Sequence, residues 1–299
     1  GQRPVMETPR QPGLFRKRAA SKWDRSPWIV EQEHHAWTGI RTSPRPPEQD
    51  GNRSDAGGVV QKLDREHWAA RSDTFTSNLA LFRPSNVEHN GLDGAKIHIR
   101  RENLGVRKYS AGALTSHAEF LYGRFEATLT ASDVPGVITG FFLHRNSPHQ
   151  EIDIEILGCR PDRLLVNVFY NPGSPGDKFD YGYRGCPSLI DLGFDASKGR
   201  HRYAIEWSPC EIRWFVDDLL VHRRDLWAPT PIPHLPMKLH FNAWPSRASR
   251  FAGRLSNRAL PAMAELQAVR TSASASSMSE WRAPVFSGND QPARGGASA

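Results

Sequence analysis

Between residues 151 and 158 the chain reads Glu-Ile-Asp-Ile-Glu-Ile-Leu-Gly. Acids and isoleucines alternate with a period of two, the side-chain period of a β-strand. A strand there puts Glu151, Asp153 and Glu155 on one face and Ile152, Ile154 and Ile156 on the other. The isoleucine face suits the core between two packed sheets. The acids stand about 6.6 Å apart at Cα, near enough to repel, and acids are poor strand formers. The plain reading is an exposed acidic face that binds a cation. Such faces usually mix in Lys, Thr or Arg, and this one does not. The chemistry that exploits crowding is cleavage of a glycosidic bond, which needs one carboxylate ionised and another protonated at the same pH. Crowded acids split in this way, and Asp153 between the glutamates can hold the proton that keeps them split. The three titrate as a coupled set. Spacing leaves the stereochemistry open. The Cα atoms of Glu151 and Glu155 lie about 13 Å apart on an extended strand. Inward-leaning side chains can reach either the retaining separation of about 5–5.5 Å or the inverting one of about 6.5–9.5 Å.

The elements that must position these acids are strands. Ala95–Arg100 alternates after the Leu92-Asp93-Gly94 turn, and Gly123–Leu129 alternates up to Asp133-Val134-Pro135-Gly136. Leu164–Tyr170 is β-branched and aromatic and stops at Asn171-Pro172-Gly173. Tyr203–Trp207 and Ile212–Val216 flank a Ser208-Pro209 turn, Asp217-Asp218 turns into Leu219–His222, and Ala264–Arg270 is the last strand candidate. Short strands at this spacing, without long helical periods, predict an antiparallel all-β domain. Residues 1–65 lack both periods and carry the run Arg-Thr-Ser-Pro-Arg-Pro-Pro at 41–47, which reads as a flexible segment with room for a short helix near Trp23–Trp37. The organisation expected is a Pro/Arg-rich segment over 1–65, a folded domain over 66–272 and a flexible Ser/Ala/Gly-rich tail over 273–299.

Composition narrows the function classes. With 299 residues, 38% apolar and nine Trp, the chain can build a large core. Its net charge of +7 comes from scattered basic residues with no stripe interleaved with aromatics, so no nucleic-acid partner is expected. No apolar run reaches the roughly 18 residues of a membrane span, and the start shows no signal-peptide pattern. Cys159, Cys186 and Cys210 form no Cys-x-x-Cys pair, which argues against zinc and leaves open one disulfide or three free thiols. There is no Gly-x-Ser-x-Gly, phosphate loop or His-Glu-x-x-His, and His34-His35 reads as incidental.

The Glu-x-Asp-x-Glu strand resembles the active-site signature of glycoside hydrolase family 16. The likeness covers about residues 70–272. It extends to Tyr122–Glu126, Gly140-Phe141-Phe142, Asp191–Asp195, His201–Trp207, Trp214–Asp217 and Phe241–Trp244, in the family's order. The resemblance implies a concanavalin A-like β-jelly-roll sandwich of two antiparallel sheets, a cleft for a polysaccharide, and a retaining double displacement. By position Glu151 matches the nucleophile, Glu155 the general acid/base and Asp153 the assisting acid. The contiguous spacing is similar to licheninases and xyloglucan enzymes, whereas laminarinase-like members carry one extra, bulged residue.

The resemblance also proposes substrate-binding residues. Trp244 matches a cleft tryptophan that stacks on a sugar, against the alternative of a core residue. Asn242, two residues earlier, faces the same side. Glu126 matches a cleft glutamate, weighed evenly against an ordinary strand glutamate. Asn167, polar within an apolar strand, needs a partner, and Phe142 is either core or sugar platform. Three positions of the cleft depart from licheninases: His149-Gln150 replaces Trp-Asp, and His144 replaces a cleft tyrosine. His149 is either a sugar contact or a loop histidine. Gln267 stands at the family's calcium-binding aspartate, so a structural calcium is doubtful and no other cofactor is expected. The expected activity is that of an endo-β-glycanase on a β-glucan or bacterial exopolysaccharide, in a monomer placed outside the cell or in a periplasm. The alternatives are a glycan transglycosylase and a non-catalytic carbohydrate-binding jelly roll.

Overall fold

A computed structural model describes residues 41–43, 58–171, 187–225, 231–272 and 275–276. Most of the 1–65 segment, the region Trp23–Trp37, His34-His35, Cys186 and most of the tail lie outside them. The strands, in chain order, are β1 (Arg41–Ser43), β2 (Val59–Val60), β3 (Trp68–Ala70), β4 (Ala80–Phe82), β5 (Val87–Asn90) and β6 (Gly94–Arg101). They continue with β7 (Tyr109–Phe120), β8 (Gly123–Thr130), β9 (Val137–Asn146), β10 (His149–Leu157), β11 (Arg163–Tyr170) and β12 (Ser188–Asp191). The last are β13 (His201–Trp207), β14 (Glu211–Val216), β15 (Leu219–Asp225), β16 (Met237–Pro245), β17 (Ala262–Thr271) and β18 (Ala275–Ser276).

They pack as a jelly-roll sandwich of two sheets. The first runs β1-β12-β11-β10-β9-β16-β7, with β3 and β18 on the far side of β7. The second runs β5-β6-β17-β8-β13-β14-β15, with β2 on the end of β17. The β6–β7 connection carries the chain from the second sheet to the first, through the pair Arg100↔Ser110. Pairing is antiparallel apart from β1–β12 and β4–β7. Strand pairing thus begins before residue 66, at Arg41–Ser43 and Val59–Val60.

Alternation fills the space between the sheets. Ile152, Ile154 and Ile156 of β10, Phe141 and Leu143 of β9, and Leu239 and Phe241 of β16 face Phe125, Tyr203, Ile205 and Trp214 in one apolar core. Each such side chain contributes about 1.5–3 kcal/mol when removed from water, enough to hold the unfavourable acid row of β10 in its register. Trp214 of the second sheet reaches across, and its Nε1 donates to the Asp153 carbonyl at 3.0 Å. At the end of β10 the chain passes close under Val134, where a Cβ on Gly158 would come within 2.1 Å of the Val134 carbonyl oxygen. The turn between β14 and β15 has positive φ at both Asp217 (48°) and Asp218 (68°). That is the type I′ geometry that matches strand twist. Cys159 and Cys210 are free thiols, and no described helix is long and apolar enough to cross a membrane.

Candidate active site

The outer face of the first sheet is a grid, and its rows follow from strand register. Asp153 lies opposite Asn167 on β11 and Phe142 on β9, and Phe142 in turn faces His240 on β16. One row away, Glu155 lies opposite Leu165 and Gly140, and Gly140 faces Asn242. On the other side, Glu151 lies opposite Phe169 and His144. β10 pairs with β9 in unbroken register from His149 to Leu157, so the acid strand carries no bulge. Gly140 is required where it stands, since a Cβ there would meet Asn242 Oδ1 at 2.8 Å. The missing side chain gives Asn242 its place beside Glu155.

The three acids are nearly dry: Glu151, Asp153 and Glu155 are 6%, 2% and 7% exposed. Burial pushes Glu151 up to about 8, and a hydrogen bond with Asp153 works against that rise. For Asp153, burial, the charge of Glu151 and the same bond all raise the pKa well above the usual range. Asp153 therefore keeps the shared proton. Glu155 is also held well above the usual range by burial, then by the charges of Asp153 and Glu151, with no influence in the opposite direction. Of the three, only Glu151 has an influence that lowers its pKa, the bond with Asp153. That bond favours it over Glu155 as the carboxyl to ionise, and glycosidic cleavage requires one carboxyl ionised and one protonated. His149 Nε2 lies 2.7 Å from Glu151 Oε2. Burial pushes that imidazole down to about 4, so at neutral pH the contact is a hydrogen bond from a neutral ring and not an ion pair. Buried polar atoms converge on the same face: Asp153 Oδ2, Glu155 Oε2, Asn167 Nδ2 and Asn242 Oδ1 have no hydrogen-bond partner among the described residues. Buried polar atoms are seldom left so, and these four lie together on the face that carries the acids.

Most of the residues proposed from sequence come together here. Phe142 is half-buried on the acid face, stacked on His240 with centroids 4.9 Å apart and planes 7° from parallel. His144 meets His149 at 5.3 Å and His240 at 5.5 Å. His149 is no loop histidine: it opens β10, is buried and stacks on Phe169 at 5.4 Å. Asn167 Oδ1 accepts from the Val168 amide at 2.9 Å, which fixes the side chain beside Asp153.

Two proposals need correction. Glu126 belongs to β8 in the second sheet, with Phe125 and Ala127 beside it facing the core. Its Oε2 accepts from Arg124 Nη2 at 2.8 Å, so the structure puts this glutamate in an ion pair on the opposite side of the sandwich. Trp244 is on β16 but only 2% exposed, packed edge-on against Phe75 at 4.8 Å. It is part of the core cluster and offers no open ring to a sugar. At the calcium position, Gln267 Oε1 has no hydrogen-bond partner among the described residues. Gln267 presents a neutral amide whose Nε2 donates to Thr130 Oγ1 at 3.1 Å.

Sequence reasoning missed His240, although the step of two that links Trp244 to Asn242 continues to it. It also missed Gln150. This side chain is buried, accepts the His234 and Leu235 amides at 2.9 and 3.1 Å, and donates to the Asn171 carbonyl at 3.0 Å. It ties two loops to the start of the acid strand.

A two-sheet jelly roll with paired acids on one strand face defines a carbohydrate-cleaving enzyme. Comparison with known proteins agrees: the profile of glycosyl hydrolases family 16 matches residues 82–258. A β-glucanase of Brevibacillus brevis is 33% identical over 192 residues, which span 61% of this chain and 68% of that protein. A β-glucanase of Paenibacillus macerans is 31% identical over 190 residues, 61% of this chain and 73% of that one. The solved β-glucanase of Bacillus licheniformis has the same fold, with a TM-score of 0.62 over 73% of this chain and 99% of that chain, at 24% identity. The chain belongs to glycosyl hydrolase family 16 and is a glycoside hydrolase.

Proposed function

We propose that this enzyme cleaves internal β-glycosidic bonds of a β-glucan with retention of configuration. The observation that supports this best is the row Glu151-Asp153-Glu155, buried on one face with no Lys or Arg paired to it among the described residues and with the unpartnered polar atoms of Asn167 and Asn242 beside it. Glu151 attacks the anomeric carbon while Glu155 gives its proton to the departing glycosidic oxygen. The covalent glycosyl ester on Glu151 is then attacked by water, whose proton returns to Glu155. Asp153 holds its proton against Glu151 and so favours charge on the nucleophile. The Phe142–His240 stack and His144 provide flat rings for sugar faces, and Asn242 and Asn167 provide hydroxyl contacts. The chemistry uses carboxyls and water and takes no cofactor. A polymeric substrate places the enzyme in the periplasm or outside the cell.

The test is incubation with lichenan, laminarin, xyloglucan, agarose and an acidic exopolysaccharide, with sizing of the products. We expect shortened chains from a β-glucan, and a β-anomer as the first product seen by NMR. An α-anomer first would overturn the retaining mechanism, and no cleavage of any glycan would overturn the hydrolase reading.

A further inference from the structure

Where licheninases carry a tryptophan and a tyrosine, this chain brings two histidines to the proposed nucleophile. One ligand atom each from His144, His149 and Glu151 lie within 4.8 Å of one another. The three come from two adjacent strands in fixed register, His144 facing Glu151 across the β9–β10 pair and His149 two residues before it on the same face. Their rings are held in place. Phe169 stacks on His149 at 5.4 Å, and His144 packs edge-on to Phe142 at 6.4 Å and to His240 at 5.5 Å. His240 itself is engaged elsewhere, its Nδ1 3.0 Å from Thr115 Oγ1.

We infer that His144, His149 and Glu151 form a site for a divalent first-row transition ion, zinc or one of similar chemistry, and that its occupation silences the enzyme. Two imidazole nitrogens and one carboxylate oxygen make a borderline-soft set that suits zinc, cobalt, nickel or copper and not calcium or magnesium. Zn–N and Zn–O bonds of about 2.0–2.2 Å put tetrahedral ligands roughly 3.3–3.6 Å apart. The 2.7 Å contact between His149 and Glu151 opens slightly and His144 closes in, changes that small side-chain rotations supply. His144 is half-buried and gives the ion a path from solvent, and a fourth position is left for water. An ion bound there ties up the Glu151 oxygens that would attack the sugar, so the silencing half of the inference rests on the nucleophile role proposed above. The other mixed cluster, Asp64, Glu66 and His67, is a different case. Asp64 already accepts the Glu66 and His67 amides and sits 2.6 Å from the His67 ring in an exposed turn.

The experiment titrates Co²⁺ into the full chain after EDTA treatment and follows its visible d–d absorption, then repeats the titration with Zn²⁺ by calorimetry. One tightly bound ion per chain is expected. H144A and H149A should each weaken binding by more than about a hundred-fold, since even residues that only orient metal ligands cost 10–100-fold. H67A and the double variant H34A/H35A should bind as the wild type does. A matching loss of thermal stabilisation by Zn²⁺ in H144A and H149A, with unchanged circular dichroism, separates ligand loss from misfolding. Zn²⁺ should abolish glycan cleavage by the wild type, and EDTA should restore it. Binding that survives both H144A and H149A, or no binding at all, overturns the site. Binding at these histidines while the EDTA-treated protein cleaves β-glucan equally well with Zn²⁺ overturns the silencing. Binding with no cleavage under any condition overturns the hydrolase reading and leaves the site standing.

Discussion

The two faces of this sandwich both bury carboxylates, and they treat them in opposite ways. On the second sheet, Arg124 Nη2 donates to Glu126 at 2.8 Å and Nη1 to Glu206 at 3.0 Å, with Asp218 at 3.5 Å. Arg213 donates to the other oxygen of Glu206, Arg202 pairs with Asp218, and the Arg124 guanidinium lies 5.0 Å above the Phe215 ring. Each acid there has a cation. On the first sheet, Glu151, Asp153 and Glu155 are as buried as Glu126 and more buried than Glu206 and Asp218, yet among the described residues Glu151 bonds only to Asp153 and to a neutral histidine. A buried carboxylate with an arginine is a structural device whose disruption costs stability. Buried carboxylates crowded without one carry raised pKa values and stored repulsion, the mark of a functional site.

The contrast breaks first on activity. Glu151→Gln should lower kcat on a cleaved β-glucan by at least about 10⁴-fold, roughly 5 kcal/mol of barrier, whereas Glu126→Gln should leave kcat/KM within about two-fold. Initial-rate measurements on the two purified variants check this. A large loss of activity in Glu126→Gln at unchanged folding would return Glu126 to the substrate site.

The next effect is on stability. Arg124→Ala leaves Glu126, Glu206 and Asp218 without their shared cation, and breaking a buried pair by removing one partner costs about 3–5 kcal/mol. Urea unfolding should show that loss, with the rate per folded molecule unchanged. A loss under about 1 kcal/mol would mean that Arg213 and Arg202 carry the network without Arg124.

A third comparison makes one kind of substitution on both faces and expects opposite signs. Burial and neighbouring charge hold Glu155 well above the ordinary value of 4.5. Below that pH the folded and unfolded chains both keep the proton. Above it the unfolded chain releases the proton and the folded chain does not. The wild type therefore loses stability as pH rises, by about 1.4 kcal/mol per unit for one proton. Glu155→Gln escapes that loss. It should be more stable than the wild type at pH 7, by on the order of 1–3 kcal/mol, with the gap closing near pH 4. Glu126→Gln should be less stable at pH 7, because it weakens the bond to Arg124. Denaturant melts at the two pH values, with EDTA present, measure both. A gap for Glu155→Gln that widens toward acid pH would contradict the assigned direction.

The same contrast explains what could be read from sequence. Period-two alternation showed the acid strand, its core face and the sandwich, because burying Ile152, Ile154 and Ile156 leaves β10 only one register. The strand boundaries at Asp217-Asp218 were legible because that turn needs residues that accept positive φ. Glu126 was misplaced because alternation says which residues share a face but not which of two sheets the strand joins. Arg124, two residues earlier on the same face, was the available clue. Trp244 was misread because Phe75, which covers it, comes from a distant loop. Gln150 and Trp214 were invisible as site residues, since the amides that Gln150 accepts from and the carbonyl that Trp214 donates to lie more than sixty residues away in the chain.

Trp214 offers the finest test of how the faces are joined. Its ring fills the core from the second sheet, and its Nε1 holds the Asp153 carbonyl at 3.0 Å, directly beneath the acid row. Trp214→Phe keeps most of the apolar volume and removes that donor. The lost hydrogen bond and small cavity should cost about 1–2 kcal/mol. If the bond also sets the height of β10 against its neighbours, kcat should fall by several-fold while KM stays near the wild-type value, because Asp153 and both glutamates shift together. If Trp214 only fills space, unfolding free energy drops and kcat per folded molecule does not. The split between those two readouts decides whether the second sheet supports catalysis through this one bond or only through the bulk of the core.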